Sequence, residues 1–323
     1  MRHADPASLH TLHGQTMGTT WTVRLANPQF LPLEPLQTKL EAMLELVVRQ
    51  MSNWQPDSDI SRWNAAPAGT WQTFPPECFD VLACALHWAQ GSGGAWDPTI
   101  APLVKLWGFG PRERATVLPQ QVPDAAALAA TREQIGYQRI ALLPEQRKVM
   151  QPGGIQLDLC GIAKGYAVDL LAQTLLASGL DHFLVEIGGE LRSSGQRPDG
   201  QPWRVAIAAA APNLPPYILT CQQPLSIATS GDQWHAFAVA GQRYSHTIDP
   251  RTGWPVTHDL ASVTVLHAEC MQADALATVL TVLGPQEGLL FAEERGIAAR
   301  FCQRTPAGLV THTTSAFTAL TGP

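Results

Sequence analysis

The chain has 323 residues, 45% of them hydrophobic and 15% charged, a globular balance that argues against disorder and suffices for one large core or two smaller ones. A formal net charge of −6 leaves no basic footprint, which argues against nucleic acid as a partner. The six cysteines, at 78, 84, 160, 221, 270 and 302, form no C-x-x-C pair and fit neither a zinc site nor a disulfide framework, so they read as buried free thiols.

The opening segment MRHADPASLH carries no apolar run and no cleavage site. Residues 1–12 therefore read as a flexible N-terminal segment, and the chain as written reads as cytoplasmic, or as periplasmic if an export signal has been removed or omitted. Thr20 to Leu25 alternates as a strand does, and Leu36, Leu40, Met43, Leu44 and Val47 share one helical stripe, with Pro35 in its first turn. A loop is expected from Met51 to Asn64, then a helix from Pro76 to Gln90, which GSGGAWDP breaks. Asp124 can cap a helix reaching about Gln134, and strand-like pieces follow around 137–143 and 147–150.

Ile155, Leu157 and Leu159 alternate with Gln156 and Asp158, which predicts a strand with Asp158 on its polar side. Gly161 ends it, a helix carries Ile162, Tyr166 and Leu170 beside Ala163, Ala167, Leu171 and Leu175, and Gly179 stops that helix. Strands are expected at Phe183–Ile187, Leu191–Ser194, Trp203–Ala208, Tyr217–Cys221 and Ser262–Leu266, then a helix from Gln272 to Leu283 ending at Gly284. Val205 to Gly231 is uncharged, but Pro212, Pro215, Pro216 and Pro224 exclude a membrane-spanning helix there. Helices early and strands late predict an α+β fold with a largely antiparallel or mixed sheet against packed helices, and no boundary divides residues 1–323.

Several segments could carry chemistry. DLCGIAKG places a glycine turn at a helix start, where free N–H groups and partial positive charge suit a phosphate, and Lys164 adds a full charge. Neither G-x-x-x-x-G-K-S/T nor G-x-G-x-x-G is present. The same turn is equally readable as simple packing with a solvated lysine. Asp274 and Thr278 share a helix face and offer hard oxygens, which favour magnesium or calcium over zinc, although a helix threonine can instead bond its own backbone. His246 and Asp249 lie in the turn-rich SHTIDPRTGWP, where a histidine could act as a general base or simply sit in a loop. The hydroxyls of SIATSGD could hold phosphate oxygens or cap backbone, and Trp54 and Trp96 could stack on a planar ring or pack.

Eight segments in order resemble the ApbE family of FAD:protein FMN transferases. They are GQTMGTTW at 14–21, MSNWQPDSDISRWN at 51–64, GGAWDPTIAPLVKLWGFG at 93–110, LDLCGIAKGYAVD at 157–169, VEIGGELRSSG at 185–195, ATSGD at 228–232, YSHTIDPRTGWPV at 244–256 and ADALATVLTVLG at 273–284. The resemblance implies a single α+β domain that binds FAD in a deep cleft. It implies that Met17, Trp54 and Ala95, Trp96 and Asp97 line the flavin or adenine region, and that Asp158, Lys164 and Ile248 contact FAD. It assigns magnesium to the side chains of Asp274 and Thr278 and the carbonyl of Gly161, and a base role to His246, with Lys164 and Asp274 also in the catalytic set. The implied reaction transfers FMN from FAD to a threonine or serine hydroxyl of a flavoprotein bearing an Asp-x-x-(Ser/Thr)-Gly-Ala-Thr-like segment, for example a subunit of a membrane redox complex, and releases AMP. An FAD pyrophosphatase and a non-catalytic FAD-binding protein are the alternatives. Cys160 departs from the family, which usually has glycine there.

Overall fold

The chain opens as a hairpin, β1 (Leu9–Thr16) and β2 (Thr19–Ala26), closed by Met17 and Gly18 at φ 47° and 73°. Two successive positive φ values are what a tight hairpin turn matched to strand twist requires. In this computed structural model, residues 8–110, 122–207, 215–231, 236–239 and 241–322 are described. The expected loose N-terminus is thus corrected from Leu9 onward, because every residue of β1 pairs with β2.

Helix α1 (Leu33–Met51) buries the expected stripe of Leu36, Leu40, Leu44 and Val47. Each such side chain contributes roughly 1.5–3 kcal/mol when fully buried. The expected loop after it contains a short helix, α2 (Asp59–Asn64), started by Ser58, whose hydroxyl accepts from the Ser61 amide at 3.1 Å. Then come β3 (Trp71–Thr73), α3 (Pro76–Gly91), α4 (Ala101–Leu106) and α5 (Ala125–Arg132), the last capped by Asp124 as expected. Strands β4 (Ala141–Leu143) and β5 (Lys148–Met150) join β3 in a small sheet.

The expected strand at Ile155–Leu159 is not one. Ile155, Leu157 and Leu159 are fully buried in alternation, but only Gln156 makes a bridge, to Ile100, so burial periodicity arises here without a ladder. Helix α6 (Ala163–Ala177) follows and stops at Gly179, where φ is 78°. Next are β6 (Phe183–Ile187), β7 (Glu190–Ser194), β8 (Trp203–Ile207), β9 (Tyr217–Cys221) and β10 (Leu225–Gly231). A hairpin of β11 (Ala236–Val239) and β12 (Gln242–Ser245) precedes β13 (Leu260–His267).

Helix α7 (Cys270–Glu294) is two helical segments meeting at Gly284, which is non-helical at φ 82° and ψ −176°, a positive φ that favours glycine, and precedes Pro285. Its first half ends where expected; the continuation to Glu294 was not anticipated. It is long and apolar enough to cross a membrane by length and composition, but most of its apolar stretch is buried against α6, β10 and β13. Strands β14 (Ala298–Thr305) and β15 (Gly308–Thr313) and helix α8 (Ser315–Thr321) end the chain.

The main sheet has eight strands in the order β1-β2-β6-β7-β10-β13-β14-β15, all neighbours antiparallel. Its central strands are buried on both faces. Ala228, Val263, Val265 and Phe301 face the helical core with α1, α3, α6 and α7. Leu191, Ile227, Leu266 and Ala298 meet a second core made with β8, β9 and Phe317 of α8. The α+β, largely antiparallel expectation therefore holds.

Candidate functional site

The turn from Asp158 to Gly161 is braced at both ends of the strand-like approach. The Asp158 amide donates to the Pro98 carbonyl at 2.7 Å, and its Oδ1 accepts from the Cys160 amide at 2.8 Å. This ties the turn to the 93–98 segment. Gly161 faces both Trp96 and α7, for a β-carbon there would lie 3.1 Å from Trp96 Nε1 and 3.4 Å from Thr278 Oγ1. Cys160, the residue that departs from the family pattern, is exposed as a residue, but the pKa of its thiol is pushed up by burial and feels the charges of Asp158, Lys164 and Asp274, so it borders the site.

Helix α6 starts immediately after and crosses α7 very closely. A β-carbon at Gly165 would lie 2.7 Å from Asp274 Cβ and would collide with the Cys270 carbonyl. The missing side chain lets the Gly165 amide donate to Asp274 Oδ2 at 2.9 Å. The contact is mutual, since Asp169 Oδ2 on α6 accepts from the Met271 amide at 2.9 Å in the first turn of α7. Asp169 also holds Arg192 on β7 at 2.5 Å.

Lys164 is not the solvated lysine that the turn alone permitted. Its Nζ donates to Glu190 Oε1 at 2.5 Å, and Glu190 is only 3% exposed. Burial pulls the Lys164 pKa down, but Asp274 and Glu190 outweigh it and hold the ammonium charged well above its usual range. Asp274, 5% exposed, is raised by burial against the opposing effects of Lys164 and the Gly165 amide. Glu190 is raised to about 7 by burial and by the Asp274 charge, with Lys164 opposing. The other oxygen of Glu190, Oε2, is buried without a hydrogen-bond partner.

The cluster thus holds two carboxylates against one ammonium. Three oxygen types sit beside it: the Asp274 carboxylate, the Thr278 hydroxyl one helical turn on, and the backbone of Gly161. Hard oxygens and excess negative charge fit a small divalent cation that keeps water and phosphate in its remaining positions. Thr278 Oγ1 meanwhile donates to the Asp274 carbonyl at 3.4 Å, the local helix bond such a threonine commonly makes. Among the described residues no three His, Cys, Asp or Glu side chains group for a metal.

Of the remaining candidates, only the 95–97 segment is tied directly to the glycine turn. Ala95, Trp96 and Asp97 are all buried. Asp97 is fully engaged, accepting from the Thr99 hydroxyl at 2.6 Å, the Thr99 amide at 2.8 Å and the Tyr137 amide at 3.0 Å. Its carboxylate therefore shapes the loop. Met17 sits on the β1–β2 turn next to the glycine turn that precedes Glu190, where the Gly188 amide donates to the Thr20 carbonyl at 3.2 Å. Trp54 is 60% exposed on the turn after α1. Ile248 is buried in an apolar cluster with Leu103, Trp107, Leu128 and Tyr244, so only its backbone can face a ligand. His246 is half-buried beside Phe109, with ring centroids 6.3 Å apart. In SIATSGD, Ser226 bonds the Ala268 carbonyl at 3.2 Å and Thr229 the Thr264 hydroxyl at 2.9 Å, both within the sheet; Asp232 lies outside the described residues.

Sequence reasoning assigned no role to Glu190, Gly165 or Asp169, although all three lie in segments that resemble the family. The one legible signal was a glutamate directly after two glycines, at the start of ELRSS.

Comparisons with known proteins match nearly the whole chain. The model of the ApbE family matches residues 17–301. An FAD:protein FMN transferase of Vibrio cholerae is 37% identical over 315 residues, covering 97% of this chain and 92% of that protein. One from Haemophilus influenzae is 35% identical over 319 residues, covering 96% and 91%. Among solved structures, the apo flavinyl transferase ApbE of Pseudomonas stutzeri aligns with a TM-score of 0.89 at 40% identity over 98% of both chains. The flavin transferase ApbE of Vibrio cholerae aligns with a TM-score of 0.88 at 35% identity, over 97% of this chain and 99% of that one. The family match over residues 17–301 and the near-complete coverage in both directions mean that the chain belongs to the ApbE family.

Proposed function

We propose that this protein is an enzyme that transfers the FMN moiety of FAD to a threonine or serine hydroxyl of an acceptor flavoprotein. The hydroxyl oxygen forms a bond to the FMN-side phosphorus, the pyrophosphate bridge breaks, and AMP leaves with the bridging oxygen. The observation that carries this reading is the buried Lys164–Asp274–Glu190 cluster at the start of α6, beside Gly161 and Thr278. Phosphoryl transfer needs positioning and charge neutralisation more than covalent catalysis; the cluster fixes Lys164 in place, and a divalent cation beside Asp274 would supply the rest of the positive charge.

Lys164 offsets pyrophosphate charge, aided by the amides of the helix start. Asp274, Thr278 and the Gly161 carbonyl would hold magnesium, which when bound polarises the phosphate and stabilises the leaving group. Met17, Trp54, Ala95, Trp96, Asp97, Asp158 and the Ile248 backbone frame the dinucleotide. His246 takes the hydroxyl proton, a role that typically contributes about 10²–10⁴-fold. The acceptor carries an Asp-x-x-(Ser/Thr)-Gly-Ala-Thr-like segment, as a subunit of a membrane redox complex could.

The test is incubation with FAD, magnesium and a target bearing that segment. A target that keeps flavin fluorescence after denaturation is the expected result. Free FMN with an unlabelled target would make the protein an FAD pyrophosphatase, and neither product would leave only an FAD-binding protein.

A further inference from the structure

Glu190 is the buried charge with no assigned task. It begins β7, which lies between β6 and β10 in the middle of the main sheet, and it follows Gly188 and Gly189, at φ 61° and 109°. Its side chain is rooted in the most constrained part of the fold. One oxygen holds Lys164 at 2.5 Å, and the other has no partner. Leaving a buried acceptor unsatisfied is destabilising. A buried ion pair is generally no better for stability than well-packed apolar groups of the same volume. Stability therefore gives no reason for a carboxylate here.

Lys164 provides one. Its side chain retains 30% exposure while that of Glu190 retains 4%. The lysine side chain thus remains partly reachable while its partner carboxylate is buried. The ammonium has three N–H groups, so holding Glu190 leaves donors for a ligand. Asp274 is a second carboxylate acting on the same ammonium, and a bound pyrophosphate would be a third source of negative charge. Without Glu190, Lys164 would be drawn toward whichever anion is nearest.

We infer that Glu190 is a positioning residue: its ion pair anchors the Lys164 ammonium to the sheet, at a place where it meets the charge that develops during transfer. This rests on the functional reading above. Glu190→Gln keeps an oxygen for the ammonium but removes the opposing negative charge, so it should keep the shape and loosen the anchor. Glu190→Asp keeps the charge on a shorter stem.

The experiment uses the full chain. Flavin fluorescence quenching gives FAD stoichiometry and Kd, thermal melting reports folding, and single-turnover transfer gives the rate per bound FAD. Because the chain has four lysines, ¹³C-lysine NMR can follow Lys164 directly, with Lys164→Met assigning its signal. Glu190→Gln is expected to bind FAD at full stoichiometry, lose about tenfold or more in transfer rate with little change in Kd, and shift the Lys164 signal. Glu190→Asp should recover part of the rate. In a Lys164→Met background, Glu190→Gln should add nothing, since a residue acting only through Lys164 is non-additive with it. A Glu190→Gln rate within about twofold of wild type, an additive loss in that background, or an unmoved Lys164 signal would overturn the inference. Failure of the wild type to transfer FMN would instead overturn the functional reading, and the inference with it.

Discussion

Asp274 Oδ2 accepts the amide hydrogen of Gly165 at 2.9 Å, so the carboxylate proposed for the metal also caps the helix that carries Lys164. The two roles are separable by substitution. Asp274→Ala removes both the acceptor and the charge. It should lower stability by about 1 kcal/mol, as loss of a cap does, and abolish magnesium-dependent transfer. Asp274→Asn keeps an oxygen for Gly165 and loses the charge, so it should melt close to wild type yet remain inactive. Thermal melts and a magnesium titration of transfer check this; full activity of Asp274→Ala would remove the metal assignment.

Met17 occupies a left-handed conformation at φ 47°, which costs a side-chain-bearing residue roughly 1–2 kcal/mol. Asparagine tolerates that conformation and with Gly18 makes a favoured hairpin turn. Met17→Asn should therefore hold stability within about 1 kcal/mol of wild type, because relief of backbone strain offsets the lost partial packing of the thioether. If Met17 lines the flavin region, FAD affinity should fall about tenfold, which fluorescence quenching would read.

His258 Nε2 lies 2.7 Å from the Thr281 carbonyl. Pro285 has no N–H with which to serve that carbonyl along the helix, and the imidazole takes its place, with Nε2 donating. Its Nδ1 then accepts from the Leu260 amide at 3.4 Å. His258→Ala should cost about 1–3 kcal/mol in urea unfolding, the penalty of an orphaned buried acceptor. Activity at temperatures well below melting should be largely retained, and an unchanged unfolding midpoint would contradict the assignment.

Glu190, held at about 7 by burial and the Asp274 charge, gives the ligand-free protein an unusual pH dependence. Its ordinary value is 4.5, so between 4.5 and about 7 the native state keeps a proton that the unfolded chain releases. The contribution is fully present below 4.5 and is lost as pH rises through about 7. Melting points from about pH 5 to 8 should therefore fall with rising pH more steeply in wild type than in Glu190→Gln. Equal slopes would show that Glu190 titrates normally.

Much of the fold was legible because its signals are local. The α1 stripe, the Asp124 cap and the stops at Gly179 and Gly284 are short-range patterns, and each appears where expected. Strand β1 was hidden because its register comes entirely from β2. The run from Ile155 to Leu159 misled for the complementary reason: it has strand-like burial but only one bridge, at Gln156.

The same division holds at the site. Residue types and spacing alone determined that a glycine turn with a lysine, and a carboxylate one turn from a hydroxyl, could serve a phosphate and a hard cation, since such chemistry depends on donor atoms within a few residues of one another. Spacing alone did not join these two segments; the family resemblance implied one centre, and the tertiary structure shows how they meet, because Gly165 lets α6 and α7 approach until Asp274 caps the helix of Lys164. Only tertiary structure brought in Glu190, 26 residues from Lys164 along the chain. Its raised pKa and unpartnered oxygen arise from burial in the middle of an eight-stranded sheet, a property of the assembled layers that no stretch of sequence carries alone.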